Sequence, residues 1–206
     1  MTRYKEIVAV IGPNGSGKTS AVFATGVSNA LPFINPDDIA KHDYGHIRDE
    51  DKRNQLAWLK CNALRELLIA DGESFGFETV GSHPSKVELL KNARRLGYLV
   101  TVLFVGTETP DINIRRIAQR VALGGHSVPD EKVRARYQRT MRLLPEYFDV
   151  ADVATVWDNS IDDDAGSKSG AAIRELVRKD SDGIILTTPD AQKVHWIQKC
   201  FPSFAT

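Results

Sequence analysis

The sequence predicts an α/β fold: a parallel sheet flanked by helices. Three observations carry this. Short apolar runs alternate with stretches of helical periodicity, the pattern that builds right-handed β-α-β units. One run, Tyr98 to Val105, is almost continuously apolar, as a strand covered on both faces must be. The first run, Glu6 to Ile11, leads into Gly12-Pro13-Asn14-Gly15-Ser16-Gly17-Lys18-Thr19-Ser20, which fits the phosphate-loop (Walker A) pattern G-x-x-x-x-G-K-[ST].

The chemistry of that loop needs each part. Gly12, Gly15 and Gly17 let the backbone turn and bring its N–H groups close to phosphate oxygens. Lys18 places a point charge at the β- and γ-phosphates, and the Thr19 hydroxyl is placed to ligate Mg²⁺. A helix expected from Lys18 to about Asn29 adds its N-terminal dipole. The residues from Gly12 to Ser20 are therefore expected to bind a nucleoside triphosphate.

Composition narrows the classes. At 206 residues, with 42% hydrophobic and 26% charged residues, the chain suits one globular α/β domain. The expected division is a core over residues 1–160 and a C-terminal appendage over 161–206. Lys plus Arg and Asp plus Glu both total 27, which gives no global charge for nucleic acid or an anionic membrane. The apolar runs are too short to span a bilayer, and no leader peptide is expected before the first strand. Cys61 and Cys200 have no metal or redox spacing and read as reduced thiols of a cytoplasmic protein.

Along the chain, Phe33-Ile34 is a short second strand opening onto Asn35-Pro36-Asp37-Asp38. Pro36 stops a central strand, so the acids are expected in a loop at the sheet's C-terminal edge, where α/β proteins bind ligands. Asp37 can then face a γ-phosphate; the alternative is that Asp37 or Asp38 caps the next turn. A helix over His46–Ala70 is expected to bury Leu56, Leu59, Ala63, Leu64, Leu67 and Leu68. Phe75 to Thr79 forms a third strand with Glu78 near its end, and a helix from Pro84 turns Val87, Leu90, Ala93 and Leu96 inward.

After the apolar strand, Thr109-Pro110 opens a helix with Ile114, Ile117, Ala118 and Val121 inward and Asn113, Arg116 and Arg120 on another face. Ser127-Val-Pro-Asp130 has the form of a capping box before a second helix. Seven arginines lie between Arg115 and Arg142. They fit either a solvated hairpin or a lid closing over phosphates, since guanidinium groups bind phosphate bidentately. Ala151 to Trp157 is the last parallel strand, followed by Asp158-Asn159-Ser160. The tail adds a small hairpin over Arg174–Val177 and Gly183–Leu186 and a helix from Pro189 to about Cys200.

Taken in order, GPNGSGKTS, FINPDDIA, FETV, GYLVTVLFV, QRVALGGHSVP with its following RY, and AD…DNS resemble the zeta-toxin family of phosphate-loop kinases over roughly Ile7 to Ser160. The resemblance implies a fold like that of small nucleotide kinases and transfer of the ATP γ-phosphate to a hydroxyl of a small molecule, a nucleotide sugar such as UDP-N-acetylglucosamine, with ATP and Mg²⁺ as cofactors. It also implies an antitoxin protein as partner and involves no membrane or nucleic acid. By the same resemblance Asp37 matches the catalytic base, Lys18 and Thr19 the phosphate and metal contacts, Glu78 a substrate-site acid, and Arg120 the first lid arginine. The second lid arginine has no counterpart at Gly124-Gly125-His126, which leaves His126, Arg136 and Arg139 as candidates. Thr79, Arg116, His126 and Arg136 join Asp37 and Glu78 as expected acceptor contacts, and Asn159 joins the nucleotide contacts.

A metal-ligand role for Asp37 stays open beside the base role, because no apolar run ends in a Walker B acid. The other phosphate-loop classes fit less well. An ABC-type ATPase needs an LSGGQ-like helix start, and a GTP switch needs Asn-Lys-x-Asp; neither is present. A non-catalytic ATP-binding module and a kinase acting on another hydroxyl, including a nucleic-acid 5′ end, remain as alternatives.

Overall fold

The computed structural model describes residues 4–125, 127–161 and 173–202. Five parallel strands, β1 (Glu6–Ile11), β2 (Phe33–Ile34), β3 (Phe75–Thr79), β4 (Leu99–Gly106) and β5 (Val153–Asp158), stand in the order β2-β3-β1-β4-β5. The β-branched and apolar residues of β1 and β4 make them the central pair. Ile7, Ala9, Val10 and Ile11 and Val100, Phe104 and Val105 have no accessible surface. All five C-terminal ends therefore lie along one edge of the sheet, and the loops that leave them meet there.

Helices cover both faces. On one lie α1 (Lys18–Thr25) and α2 (Val27–Ala30), packed against Val8, Val10 and Leu103. The single helix expected here is two, because Gly26 adopts φ 67 and ends α1. The other face carries α4 (Glu50–Asp71), α5 (Ser85–Arg95) and α7 (Asp130–Val150). Helix α3 (Pro36–His42) packs on α4. The acids after Pro36 are thus in a helix's first turn rather than a loop. Pro36 occupies its first position, and the Asn35 side chain accepts the Asp37 N–H at 2.9 Å.

The inward faces of two helices differ from expectation. In α4 the buried stripe is Ala57, Cys61, Arg65 and Ile69, four residues apart. Leu59, Ala63 and Leu67 sit two residues from members of that stripe, on the opposite side of the helix, and are exposed. Leu64 and Leu68 pack half-buried against the core as expected, and the centre of the buried face lies one position over, on Cys61 and Arg65. In α6 (Pro110–Ala122) Ile112, Asn113 and Ile117 are buried, whereas Ala118 and Val121 are exposed. Leu96, beyond the end of α5, is 50% exposed. Helix α4 begins at Glu50, with the Asp49 carboxylate accepting the Lys52 N–H at 3.0 Å, rather than at His46. The capping box is also absent: Pro129 stands at the N-cap of α7, and no side chain bonds there.

The tail extends the same sheet. Strand β6 (Arg174–Lys179) pairs antiparallel with β5, and β7 (Ile185–Thr187) pairs with β6. In place of one last helix there is a 3-10 turn at Ala191–Lys193, then α8 (His195–Cys200), separated by the extended Val194. Trp196 of α8 lies 6.3 Å from Phe104, ring to ring, and donates from Nε1 to the buried Asp158 carboxylate at 2.9 Å. It also lies so close to Gly106 that any Cβ there would meet its ring at 2.5 Å. Arg174 donates to the same carboxylate through Nε and Nη2 at 3.0 and 2.9 Å. Trp196→Ala is expected to lower the unfolding free energy by about 3–5 kcal/mol in urea titration, with an unchanged m-value. A loss below about 1 kcal/mol would show that the tail unfolds apart from the sheet.

Candidate active site

The site is built at the edge where β1 ends. Gly12 is forced by packing: a Cβ there would meet the Val105 carbonyl oxygen at 2.3 Å. Gly17 has φ 94, and its Cβ would meet Asn159 Nδ2 at 2.2 Å, so no side chain fits beside the loop. Lys18 opens α1 and is buried, and its ammonium donates to the Pro13 carbonyl at 3.0 Å. Glu78 stands opposite it because β3 lies beside β1 in register, Val10 facing Glu78. Glu78 Oε1 is 3.8 Å from Lys18 Nζ, and Oε2 accepts from the Thr19 hydroxyl at 3.5 Å.

Burial pushes the Lys18 amine down, Glu78 and then Asp37 pull it up, and Arg120 and then Arg136 push it further down. Two acids from β3 and α3 and two guanidinium groups from α6 and α7 therefore act on one buried cation. Arg136 reaches the loop itself, donating from Nη1 to Asn14 Oδ1 at 3.2 Å. Among the described residues it is the candidate for the second clamp cation that is bonded to the loop. Arg139 is exposed one turn further along α7, and His126 lies outside the described residues. The seven arginines divide accordingly: Arg115, Arg120, Arg134, Arg139 and Arg142 are exposed, while Arg116 and Arg136 are half-buried.

Arg116 is held at the segment that follows β5. Its Nη1 and Nη2 donate to the carbonyls of Asn159 and Ile161 at 2.7 and 3.2 Å. Asn159, just past β5, bonds through Nδ2 to the Ser16 carbonyl at 2.9 Å. The Thr79 hydroxyl accepts the Gly81 N–H at 3.2 Å and shapes the turn after β3. Ser20 is an exposed position on α1.

Sequence reasoning missed a second support. Asn113 of α6 lies against Gly15, whose Cβ would meet the Asn113 carbonyl at 2.7 Å, and its Oδ1 accepts from the Thr107 hydroxyl at 2.6 Å. The Tyr137 hydroxyl donates to the Thr107 carbonyl at 2.6 Å and fixes that turn. The available signal was a polar residue one position after the buried Ile112. Three buried polar atoms here have no partner: Ser16 Oγ, Asn113 Nδ2 and Asn159 Oδ1. Each orphaned atom costs about 1–3 kcal/mol, and all three belong to the loop or to residues touching it. A polar ligand at the loop fits that arrangement.

For a metal, Thr19 and Glu78 supply adjacent oxygens. Among the described residues no group of three or more His, Cys, Asp and Glu side chains is placed to hold an ion alone. Mg²⁺ usually binds through one or two carboxylates together with phosphate oxygens, and the Thr19–Glu78 pair suits that mode.

The fold is similar to that of chains in two solved structures. It matches a chain of the AvrRxo1-ORF1:-ORF2 structure with ATP at a TM-score of 0.72 and 12% identity, over 95% of this chain and 64% of that one. It matches a chain of the PezAT chromosomal toxin–antitoxin system of Streptococcus pneumoniae at 0.56 and 15% identity, over 83% and 76%. The chain thus spans less than two thirds of the AvrRxo1 chain's length. No family model matches the sequence. Over 128 residues, 61% of this chain and 88% of the other, the sequence is 30% identical to an uncharacterized protein of Haemophilus influenzae, and the chain belongs to that protein's family.

Replacing Arg136 by Met removes a half-buried guanidinium from the loop without opening a cavity. Calorimetric titration of ATP is expected to show an affinity loss on the order of 10-fold or more, the worth of a charged hydrogen bond. Thermal stability should not fall, because burial already disfavours that charge.

Proposed function

We propose that the chain is an ATP-dependent kinase that passes the γ-phosphoryl group to a hydroxyl of a small molecule. The observation that carries this is the pairing of Glu78 with the buried Lys18 at the phosphate loop, 3.8 Å apart, with Arg136 bonded to Asn14 of the same loop. Phosphoryl transfer needs alignment and charge neutralisation more than covalent help, and these groups supply both signs of charge from separate elements.

The roles follow from position. Lys18, Arg120 and Arg136 hold the γ-phosphoryl oxygens and take up charge as the transition state forms. Glu78, hydrogen-bonded to Thr19, is the acid on the metal side. Mg²⁺, when bound there with the nucleotide, neutralises β- and γ-oxygens. Asp37, exposed at the start of α3, is the base that the sequence resemblance implies. The acceptor oxygen attacks the γ-phosphorus, its proton passes to the Asp37 carboxylate, and the bond from γ-phosphorus to the bridging oxygen breaks to release ADP. Ser16, Asn113 and Asn159 line the nucleotide side.

The sequence resemblance points to a nucleotide sugar such as UDP-N-acetylglucosamine as acceptor. A protein partner of antitoxin type follows from the same resemblance, and PezAT, which shares the fold, is a toxin–antitoxin system. Incubating the protein with ATP and a panel of nucleotide sugars and other hydroxyl metabolites, with phosphate adducts read by mass spectrometry, tests the reading directly. A protein that binds ATP and phosphorylates nothing in a broad panel would be a binding module instead.

Two substitution sets check the roles. Asp37→Asn is expected to cut kcat by roughly 10²–10⁴-fold and leave ATP affinity unchanged, while Glu78→Gln weakens Mg·ATP binding. Rescue of the Asp37 variant by added Mg²⁺, with Glu78→Gln inert, would exchange the two roles. Arg120→Ala should lower kcat by on the order of 10³-fold, and Arg142→Ala, exposed near the middle of α7, should do little. Equal small effects would make the arginine hairpin a solvated surface.

A further inference from the structure

The buried stripe of α4 contains a residue that helices rarely bury. Arg65 is 2% exposed, and its guanidinium lies 5.2 Å over the Phe77 ring of β3. From α5, Lys86 comes in beside it at 9% exposure. Both cations use one acceptor: Asn62 Oδ1 receives Arg65 Nη2 at 2.6 Å and Lys86 Nζ at 2.7 Å. Arg65 Nε has no partner at all. Among the described residues neither cation forms an ion pair with a carboxylate, the neighbouring Glu66 included.

Two like charges, taken out of water around a single neutral oxygen, are an incomplete arrangement, since buried charges are paired or bind ligands. The strain shows in Lys86, which burial and then Arg65 push down to about 8. Two of the three line a groove: Asn62 and Lys86, with Ser85, Trp58 and Glu66, border ≈ 560 Å³ between α4 and α5, and Arg65 is buried behind Asn62. The same helix, α4, packs on α3, which carries Asp37.

We propose that Lys86 and Asn62, with Arg65 buried behind them, form an oxyanion subsite on the wall of this groove, and that it takes a phosphate or carboxylate group carried by the phosphoryl acceptor. The assignment to the acceptor rests on the kinase reading above; the subsite itself does not. The ammonium offers its remaining donors, the buried guanidinium adds positive charge from behind, and the anion supplies counter-charge.

The test uses inorganic phosphate as probe in a Lys18→Ala background, which disables the phosphate loop, with calorimetry and Trp58 fluorescence as readouts. Phosphate is expected to bind this protein, and adding Lys86→Met should weaken it by about 10-fold or more. Asn62→Asp is the second variant: it installs a carboxylate where the two cations meet. It should abolish phosphate binding and raise the melting temperature, so lost binding cannot be put down to lost fold. No phosphate binding at tens of millimolar, or binding untouched by both variants, would overturn the subsite. With an identified acceptor, Asn62→Asp in the otherwise native protein should raise KM about 10-fold or more and leave kcat within about two-fold. An acceptor without an anionic group, or a KM that does not move while phosphate binding is lost, would overturn the assignment to the acceptor and leave a site for a free anion. Absence of any phosphoryl transfer would sink the kinase reading, with the phosphate titration still deciding the subsite.

Discussion

An ammonium group held out of water at the end of β1 sets the terms for everything around it. Lys18 is buried, so its charge is tolerable only where a carbonyl and carboxylates stand close. The Pro13 carbonyl comes from the loop's own turn, and Glu78 from the parallel neighbour β3. The register of the two strands is thereby tied to the charge state of one side chain. A shift of one residue in that pairing would move Glu78 to the other face and leave the lysine uncompensated. The arginines then add positive charge to a place that already has a desolvated cation. Such a balance suits a site that a polyanion completes.

The loop is also fixed mechanically from two further sides. Asn159, beyond β5, reaches the Ser16 carbonyl, and Asn113, on α6, lies against Gly15. Neither residue is near the loop in sequence, and each leaves one polar atom unbonded. The glycines are required by these neighbours as much as by the ligand: Gly17 leaves room for Asn159, and Gly12 for the backbone of β4.

Much of this was legible in the residues. The β1 run, the loop, the short β2 before Pro36, and β3 with Glu78 near its end follow from local pattern, because strand and turn chemistry act over a few residues. What escaped were features set by partners distant in the chain. The inward face of α4 could be read only in part from leucine spacing, since the face that packs on β3 carries Arg65 and Cys61. The depth of Asn113 depends on contact with a loop about a hundred residues earlier. Arg136 was one of three candidates for the clamp, and only the crossing of α7 over the loop sets it beside Asn14. In the tail the hairpin was legible, as β6 and β7 show, but its docking depends on Trp196 finding the space that Gly106 leaves open.

That docking has a consequence for the phosphate loop. The carboxylate of Asp158 is the meeting point of Trp196, Arg174 and Ser160. Ser160 in turn holds the Glu108 N–H, while the next-door Asn159 holds the phosphate loop. The C-terminal strands and the phosphate loop are anchored on three successive residues at the end of β5, Asp158, Asn159 and Ser160, so the tail is a structural support of the site.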